Sequence, residues 1–354
     1  MDIRFFTSPR ATWDAMRADI SAAQKSVEME QYILNNDDVG VGFMNLFLEK
    51  QRAGVQVRLL LDRVGSRTLY GSDYIRQLEE AGGQVRFYNP PLLKDLFRPA
   101  RWFPRNHTKT LLIDSTIGWI GGVCIEAAMA DWRDTMIRFT GPAVSMIEEK
   151  FHLERIRWRA RFKRFVKRDR DERMPFEYIV HRPHLGPNPI YRRLVRAIRE
   201  AKTSVDLVTP YFLPPFGLRR AIRLAAKRGV KVRVMMSEAT DSPLADRVSH
   251  SYFPWMYRKG IRIFLYQKTM LHAKYAIVDD AWATIGSSNL DYLSLKHNRE
   301  ANILIRDPSI IATLRGHFDD DMKECIEAGH DYWHNLSWRH RVFGYLGRIM
   351  KKIL

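Results

Sequence analysis

Hydrophobic and polar positions along the first half of the chain follow a strand and helix pattern. An amphipathic segment precedes alternating residues at 26–32, and a second helical segment ends at Gly54 before the apolar run 55–62. Residues 81–88 again begin with helix-end glycines and continue with alternation. Alternation with a period of two is typical of strands, and glycine just after a helical pattern is typical of a helix end. The first half is therefore predicted to be β-α-β-α-β.

The second half repeats this order of elements. Alternating strands and helices predict α/β layering, with a mostly parallel sheet flanked by helices in each half. We therefore predict an α/β fold of two pseudo-symmetric halves. Residues 200–211 parallel 22–32, residues 227–236 parallel 50–62, and residues 259–266 parallel 81–88.

The domain organisation follows from this repeat and from one strongly basic stretch. The first half is predicted to span residues 1–154 and the second half residues 176–325. Between them, residues 155–175 are predicted to be a basic linker or helix, and residues 326–354 a basic amphipathic C-terminal tail. The chain is long enough for each half to have a core of its own.

Late in each half comes the same polar motif, His-x-Lys-x4-Asp. If each motif starts a strand, the histidine and the lysine are two positions apart and project to the same face. A histidine can be a nucleophile or an acid near neutral pH, and a lysine beside it can hold a phosphate oxygen in the transition state. The aspartate is predicted to hold the turn at the strand end. The two copies are His107, Lys109, Asp114 and His272, Lys274, Asp279.

An accidental pair of core histidines is the alternative to a catalytic motif. It would explain one copy, because short motifs have false positives, but it does not explain two copies at equivalent places in an internal repeat. We therefore interpret all six motif residues as candidate catalytic residues.

On these motifs the chain resembles the phospholipase D superfamily over nearly its whole length. Residues 60–66, Asn106, the Gly121-Gly122 pair and residues 132–134 further resemble bacterial cardiolipin synthases. The resemblance implies an active site at the interface of the two halves. It also implies two-step phosphoryl chemistry in which one motif histidine attacks phosphorus and forms a phosphohistidine. The other histidine then acts as general acid and afterwards as general base. We assign the attack to His107, with the exchanged assignment left open.

Supporting residues are expected around the two motifs. The resemblance implies that Lys109, Lys274 and Asn289 hold the non-bridging phosphate oxygens, and we therefore expect no metal and no other cofactor. A catalytic histidine also needs a partner at its second ring nitrogen. Asp134 and Glu300 are the candidates, since each follows an arginine at a matching distance beyond its glycine turn. The alternative for these two carboxylates is an ordinary surface charge.

One position predicts that the two half-sites are unequal. Aligning Gly121 with Gly286 places Cys124 where the second half has Asn289. A thiol is a poor donor to an oxyanion, so the halves should differ in how they bind phosphate. We interpret Cys124 as a buried structural residue rather than a reactive thiol.

Composition indicates an anionic partner. The chain has 58 Lys and Arg against 40 Asp and Glu, a formal net charge of +18, which suits either an acidic membrane or nucleic acid. No stretch approaches the roughly 20 apolar residues that cross a bilayer, and the amino terminus resembles no signal peptide. We therefore expect any membrane contact to be peripheral.

Three segments have the composition of a lipid interface. Residues 89–105 and 155–173 mix bulky apolar side chains with basic ones. At the C-terminus, apolar residues recur at three- and four-residue intervals among basic residues, which predicts a basic amphipathic helix. Packing on the protein's own core is the alternative for these segments. The apolar residues of the terminal helix are Trp338, Val342, Leu346, Ile349 and Ile353.

The resemblance to cardiolipin synthases implies a phosphatidyltransferase that makes cardiolipin from phosphatidylglycerol or a related lipid acceptor, and the basic charge and apolar segments fit this activity. We expect it at the cytoplasmic face of a bacterial inner membrane, with an anionic phospholipid membrane, phospholipid substrates and an alcohol acceptor as partners. Hydrolysis to phosphatidic acid and a phosphodiesterase acting on nucleic acid are the alternatives. Binding of a polyanion does not require the apolar residues of the loop 89–105 or of the terminal helix, so we do not expect nucleic acid as a partner.

Overall fold

A computed structural model describes residues 2–89, 103–149, 174–183 and 186–350, with side chains described as far as Arg348. Within these residues, strands and helices form two mixed sheets, one in each half of the chain. The predicted interfacial segment 155–173 lies outside the described residues, as do residues 90–102 of the predicted loop, the side chain of Ile349 and all of Ile353.

Seven described strands form the first sheet, in the order β1-β7-β6-β5-β2-β3-β4. They are β1 (Ile3–Phe6), β2 (Ser26–Gln31), β3 (Gln56–Asp62), β4 (Gln84–Tyr88), β5 (Lys109–Ile113), β6 (Ile117–Gly121) and β7 (Met136–Thr140).

Eight described strands form the second sheet, in the order β15-β11-β10-β9-β12-β13-β14-β8. They are β8 (Phe176–His181), β9 (Ser204–Val208), β10 (Lys231–Ser237), β11 (Arg262–Tyr266), β12 (Tyr275–Val278), β13 (Trp282–Gly286), β14 (Glu300–Ile305) and β15 (Cys325–Glu327).

The helices connect these strands and cover the sheets. None of the helices within the described ranges has both the length and the apolar character needed to cross a membrane. The α-helices are α1 (Pro9–Ala22), α2 (Asp38–Arg52), α3 (Asp73–Glu80), α4 (Pro189–Glu200), α5 (Phe216–Lys227), α6 (Pro243–His250), α7 (Phe253–Tyr257), α8 (Tyr292–Lys296), α9 (Pro308–Lys323), α10 (His330–Asn335) and α11 (Trp338–Met350). Residues 144–149 are also helical.

The predicted β-α-β-α-β unit forms the parallel part of each sheet. Strands β2, β3 and β4 are parallel, and so are β9, β10 and β11. The motif strands β5 and β12 pair antiparallel with β2 and β9, and each continues by a tight turn into another antiparallel strand. A tight turn cannot supply the long crossover that a parallel pair requires. Each sheet is therefore mixed rather than mostly parallel, whereas the predicted α/β layering and the two pseudo-symmetric halves are confirmed.

The two sheets face each other across a shared core. Along β5, Leu111 and Ile113 pack in an outer core with α1 and α2, and Leu112 between them packs in the inner core. That inner core also contains Tyr275 and Ile277 of β12 in the second half. Alternate side chains of each motif strand therefore pack in two different cores, which fixes the strand between the helices and the opposite half.

Strand register places both motifs at the same kind of sheet edge. Lys109 pairs with Gln31 at the end of β2, and Tyr275 pairs with Val208 at the end of β9. Because β5 and β12 run against these parallel strands, each motif strand begins where its parallel strands end. Ligands of open α/β sheets bind at this carboxyl edge, and this register therefore places the motif residues where a site can form.

Candidate active site

The main chain before each motif histidine crosses to the opposite half of the molecule. The amide of His107 donates to the carbonyl of Arg299 at 2.9 Å, and the amide of His272 donates to the carbonyl of Arg133 at 2.7 Å. A second main-chain hydrogen bond extends each contact into a short parallel bridge. Each motif is therefore joined to the residue that precedes the acid of the other half.

This crossing brings each acid to the histidine of the opposite half. The carboxylate oxygens of Glu300 lie 3.0 and 3.1 Å from Nδ1 of His107, and Oδ2 of Asp134 lies 2.6 Å from Nδ1 of His272. Both carboxyl groups are fully buried, whereas the histidine side chains remain 12% and 14% exposed. The acids occupy Nδ1, which leaves Nε2 of each ring for a substrate. The two predicted partners thus contact the histidines, and they do so between halves.

The two histidine and acid pairs differ in protonation. Burial raises the pKa of Asp134, but the positive charges of His272 and a neighbouring lysine outweigh it, and the net pKa lies below its ordinary value. Burial raises the pKa of Glu300 to about 8. Burial also lowers the pKa of His272 to about 4 and that of His107 well below its ordinary value. The fold therefore favours the ionised form of Asp134 and the protonated form of Glu300.

A glycine and a serine at equivalent positions adjoin the two acids. A Cβ atom at Gly122 would lie 2.1 Å from Oδ1 of Asp134, so a side chain there would displace the carboxylate. The equivalent residue of the second half is Ser287, whose hydroxyl donates to the carboxyl group of Glu300. Sequence reasoning did not single out Ser287, although aligning Gly121 with Gly286 identifies its position.

The motif lysines are almost fully buried beside the histidines. Nζ of Lys109 donates to the carbonyl of His107 at 2.9 Å, and Nζ of Lys274 donates to the carbonyl of His272. Burial lowers the pKa of Lys274 to about 7 and lowers that of Lys109 from its ordinary value. An ammonium group has three donors, so each lysine retains donors for a phosphate oxygen. A bound anion would favour the charged form of both lysines.

The predicted phosphate ligand Asn289 lies beside the site with one polar atom unused. Its Nδ2 donates to Oη of Tyr211 at 3.2 Å, and its buried Oδ1 has no hydrogen-bond partner among the described residues. In the first half the equivalent Cys124 is buried, and burial raises the pKa of its thiol. A thiol held in the neutral form fits the structural interpretation of this cysteine.

Sequence reasoning gave no role in the site to three aromatic residues that lie there, Tyr32, Trp132 and Tyr211. The ring of Tyr32 lies 4.8 Å from that of His107 and 5.0 Å from Nζ of Lys109. The ring of Trp132 lies 5.2 Å from that of His272. Tyr32 and Tyr211 end the two aligned segments 22–32 and 200–211, and this equivalence is the signal that would have found them.

The arginine before each acid forms a buried ion pair with the opposite half. Nη2 of Arg299 lies 2.7 Å from Oε1 of Glu30, and Nε of Arg133 lies 2.7 Å from Oδ1 of Asp321. All four side chains are less than a tenth exposed. These pairs hold the segments that carry the acids. Glu30 aligns with Val208 in the sequence repeat, and Asp321 lies outside the aligned segments.

The motif aspartates lie at the far end of the motif strands, away from the histidines. Asp114 accepts hydrogen bonds from the amides of residues 24–26, at 2.7 to 2.8 Å. Asp279 accepts equivalent bonds from residues 202–204, at 2.7 to 2.9 Å. A strand of five residues spans about 17 Å, so neither carboxylate reaches a substrate at the histidines. Of the six motif residues, the fold brings together the two histidines and the two lysines.

Comparisons with known proteins identify the family of the chain. Residues 16–152 and 194–322 match a family model described as cardiolipin synthase, phospholipase D-like domain. The chain is 29% identical to a cardiolipin synthase of Oceanobacillus iheyensis, over 99% of this chain and 75% of that protein. It is 31% identical to cardiolipin synthase B of Salmonella typhimurium, over 92% of this chain and 83% of that protein.

The fold is shared with a more distant protein. The crystal structure of a phosphatidylserine synthase of Haemophilus influenzae superimposes with a TM-score of 0.78 at 14% identity, over 99% of this chain and 95% of that one. The family model covers both halves, including both motifs, and the resemblance that the paired motif indicated is confirmed. The chain belongs to the phospholipase D-like family of cardiolipin synthases.

Proposed function

We propose that this enzyme makes cardiolipin by transferring a phosphatidyl group from one phosphatidylglycerol molecule to the headgroup hydroxyl of another. One observation carries the proposal: the crossed contacts of Glu300 with His107 and of Asp134 with His272. They create two histidines with a free Nε2 beside two buried lysines, which is the set of groups that a two-step phosphoryl transfer requires.

In the first step, Nε2 of His107 attacks the phosphorus of phosphatidylglycerol. A nitrogen–phosphorus bond forms, and the bond from phosphorus to the glycerol headgroup breaks. The bound phosphate anion favours the protonated form of His272. His272 then donates this proton to the departing oxygen, so glycerol leaves as a neutral alcohol. Lys109, Lys274 and Asn289 hold the non-bridging oxygens, on which negative charge concentrates in the transition state.

In the second step, His272 accepts the proton of the incoming hydroxyl group from a second phosphatidylglycerol. That oxygen attacks the phosphorus, the bond to His107 breaks, and cardiolipin is released. The proton taken up by His272 restores its acid form for the next cycle. Water in place of the second lipid would release phosphatidic acid, and the enzyme would then act as a hydrolase.

The difference between the two pairs supports this division of roles. His272 becomes positively charged when it accepts a proton, and the ionised carboxylate of Asp134 stabilises that imidazolium. Glu300 retains its proton near neutral pH because burial raises its pKa to about 8. It therefore supplies less negative charge to His107, which suits a neutral nucleophile.

The proposed partners are a phospholipid bilayer and its anionic lipids, at the cytoplasmic face of a bacterial inner membrane. A net charge of +18 supports attraction to an acidic surface, because basic side chains near such a surface each contribute about 1 kcal/mol. The relatives are named as cardiolipin synthases, whose product is a membrane lipid.

The test is lipid mass spectrometry on purified protein supplied with phosphatidylglycerol vesicles. We expect cardiolipin and glycerol to appear in equal amounts, and neither to appear with His107→Ala. Phosphatidic acid without cardiolipin would instead establish a hydrolase. If the lipids stay unchanged while the same protein cleaves single- or double-stranded DNA, the lipid proposal is wrong.

A further inference from the structure

The terminal helix α11 directs its apolar stripe away from the protein. Trp338, Val342 and Leu346 lie one helical turn apart and are 64%, 45% and 55% exposed. Phe343 and Tyr345 are exposed as well, so that this helix holds five of the nine large hydrophobic side chains exposed in the described part of the chain. A surface helix normally turns its apolar stripe inward. We call Trp338, Val342 and Leu346 the docking ridge.

The opposite face of α11 is the one that packs on the protein. A Cβ atom at Gly344 would lie 2.3 Å from a main-chain carbonyl of α6, and one at Gly347 would lie 2.4 Å from a methyl group of that helix. Nδ1 of His250 lies 3.1 Å from Nε2 of His340 in the same interface. These two glycines thus allow α11 to pack closely against α6, and this packing directs the docking ridge away from the protein.

A second helix presents a further exposed apolar side chain near α11. Phe216, the first residue of α5, is 71% exposed. The guanidinium of Arg219 lies 5.9 Å from the ring of Phe216 and 5.5 Å from that of Tyr252. The guanidinium of Arg348 lies 4.4 Å from the ring of Tyr252 and 4.7 Å from that of Tyr345 on α11. The buried ring of Tyr252, with Arg219 and Arg348 against it, therefore connects the helix of Phe216 to the terminal helix.

The exposed apolar residues of α5 and α11 lie near one edge of the second sheet, and the candidate active site forms at that same edge. Helices α5 and α6 follow the ends of β9 and β10, and Oγ of Ser237 at the end of β10 accepts from the amide of Leu271, next to a motif histidine. Tyr211, which binds Asn289 of the site, precedes Phe216 by five positions. A flat surface that contacted Phe216 would therefore approach the active-site edge.

We propose that the docking ridge and Phe216 insert into the surface of an anionic phospholipid bilayer and hold the active-site edge against it. This inference rests on the proposed function, because it takes bilayer lipid as the substrate. The occupant follows from charge: Arg339 is exposed and its guanidinium lies 5.6 Å from the ring of Trp338, on a chain with a net charge of +18. Apolar residues flanked by arginine match the boundary between acyl chains and anionic headgroups.

The test compares the full chain with a ridge variant, Trp338→Ser with Val342→Ser and Leu346→Ser, in sedimentation with vesicles of phosphatidylglycerol and phosphatidylcholine. We expect vesicle partitioning to fall more than about tenfold, because three exposed apolar side chains lose their place in the acyl region. Met174→Ser is the control, since Met174 is also exposed but precedes β8 at the far edge of the sheet, and it should bind as the wild type does.

Phe216→Ser gives an independent measurement on another helix, with a smaller expected loss of binding. Unchanged partitioning of both the ridge variant and Phe216→Ser would overturn the proposal. A ridge variant that still binds vesicles but changes from a dimer to a monomer in sedimentation velocity would make the ridge an interface between copies instead.

A second assay separates this inference from the proposed function. Short-chain phosphatidylglycerol below its critical micelle concentration presents substrate without a surface. On that substrate we expect the ridge variant to match the wild type, while His107→Ala binds vesicles normally and makes no product. If the wild type binds vesicles through the docking ridge yet makes no cardiolipin from either substrate, membrane insertion of the ridge is supported and the proposed function is wrong.

Discussion

The His107–Glu300 and His272–Asp134 pairs have the same geometry and different charge. Both are contacts between halves, both use Nδ1, and both carboxyl groups are fully buried. Yet Asp134 has a pKa below its ordinary value, whereas the pKa of Glu300 is raised to about 8. The difference shows that a repeated fold can supply two histidines in one site and still prepare them for different tasks.

The neighbours of the two acids show how the fold produces this difference. Asp134 lies against Gly122, where no side chain fits, and Glu300 accepts a hydrogen bond from Ser287. Glutamate is longer than aspartate and needs more space. At the position equivalent to Gly122, the second half has Ser287 as a polar partner for the carboxyl group of Glu300. A few residue differences within a repeat can therefore give the two halves different chemical roles without changing the fold.

The largest effects are expected for the histidines. His107→Ala and His272→Ala should each reduce cardiolipin formation by about 10⁵-fold or more, because residues that act as a unit fail together. A phosphatidyl ester of p-nitrophenol should distinguish them, since this leaving group needs no proton. His272→Ala should still release about one equivalent of p-nitrophenolate in a burst, and His107→Ala should release none. The reverse result would exchange the two roles.

The acids should respond unequally. Asp134→Asn should reduce turnover by about 10³- to 10⁴-fold. A catalytic histidine without its ionised partner loses both its correct tautomer and the charge that stabilises its imidazolium. Glu300→Gln should cost less than about tenfold, because glutamine resembles the protonated carboxyl that the fold already favours. Turnover measured at pH 7 checks both variants. Equal losses would mean that Glu300 is ionised at this pH, and the comparison would fail.

The buried ion pairs between halves should matter for stability. Glu30→Gln and Asp321→Asn should each lower the free energy of unfolding by about 3 to 5 kcal/mol, since a buried guanidinium loses its carboxylate. Glu327→Gln is the control: it breaks the exposed pair with Arg262, and a change of less than about 1 kcal/mol is expected. Urea unfolding at pH 7 gives these values. If Glu30→Gln leaves the free energy of unfolding unchanged, the other contacts between the halves hold the segment of Arg299 without this ion pair.

The phosphate ligands should give a smaller contrast. Asn289→Cys copies the residue of the first half and should reduce turnover by about 10²-fold, because an oxyanion donor is lost. Cys124→Ala should change turnover less than about threefold, since a thiol contributes little to such a site. Steady-state kinetics on mixed micelles measures both. A large loss with Cys124→Ala would assign the cysteine a part in the chemistry.

The pH dependence of stability also tests the difference between the two acids. The pKa of Glu300 is about 8 in the folded chain and near 4.5 for an unperturbed glutamate, so unfolding releases a proton between these values. The wild type should therefore lose stability as pH rises from about 4.5 to 8, relative to Glu300→Gln. Urea unfolding at pH 5 and pH 8.5 compares them. Parallel pH profiles for the two proteins would contradict the raised pKa.

Much of this protein was predictable from its sequence, because the relevant signals are local. Hydrophobic alternation and helix-end glycines predicted the β-α-β-α-β unit of each half. The spacing of His107 and Lys109, repeated at His272 and Lys274, predicted the phosphate chemistry and the family. Apolar spacing also predicted a terminal amphipathic helix, which is present as α11. Patterns with periods of two to four residues depend only on neighbours along the chain, and a sequence displays them directly.

Other properties depended on contacts between residues far apart in the chain. Asp134 meets His272 across 138 positions, and Glu300 meets His107 across 193, so no local pattern specifies which acid serves which histidine. The charge of each acid depends on burial and on lysines from the opposite half. The outward direction of the docking ridge depends on where two glycines of α11 meet α6. These features exist only after the two halves pack, because packing sets the distances and the solvent exposure that determine electrostatic energy.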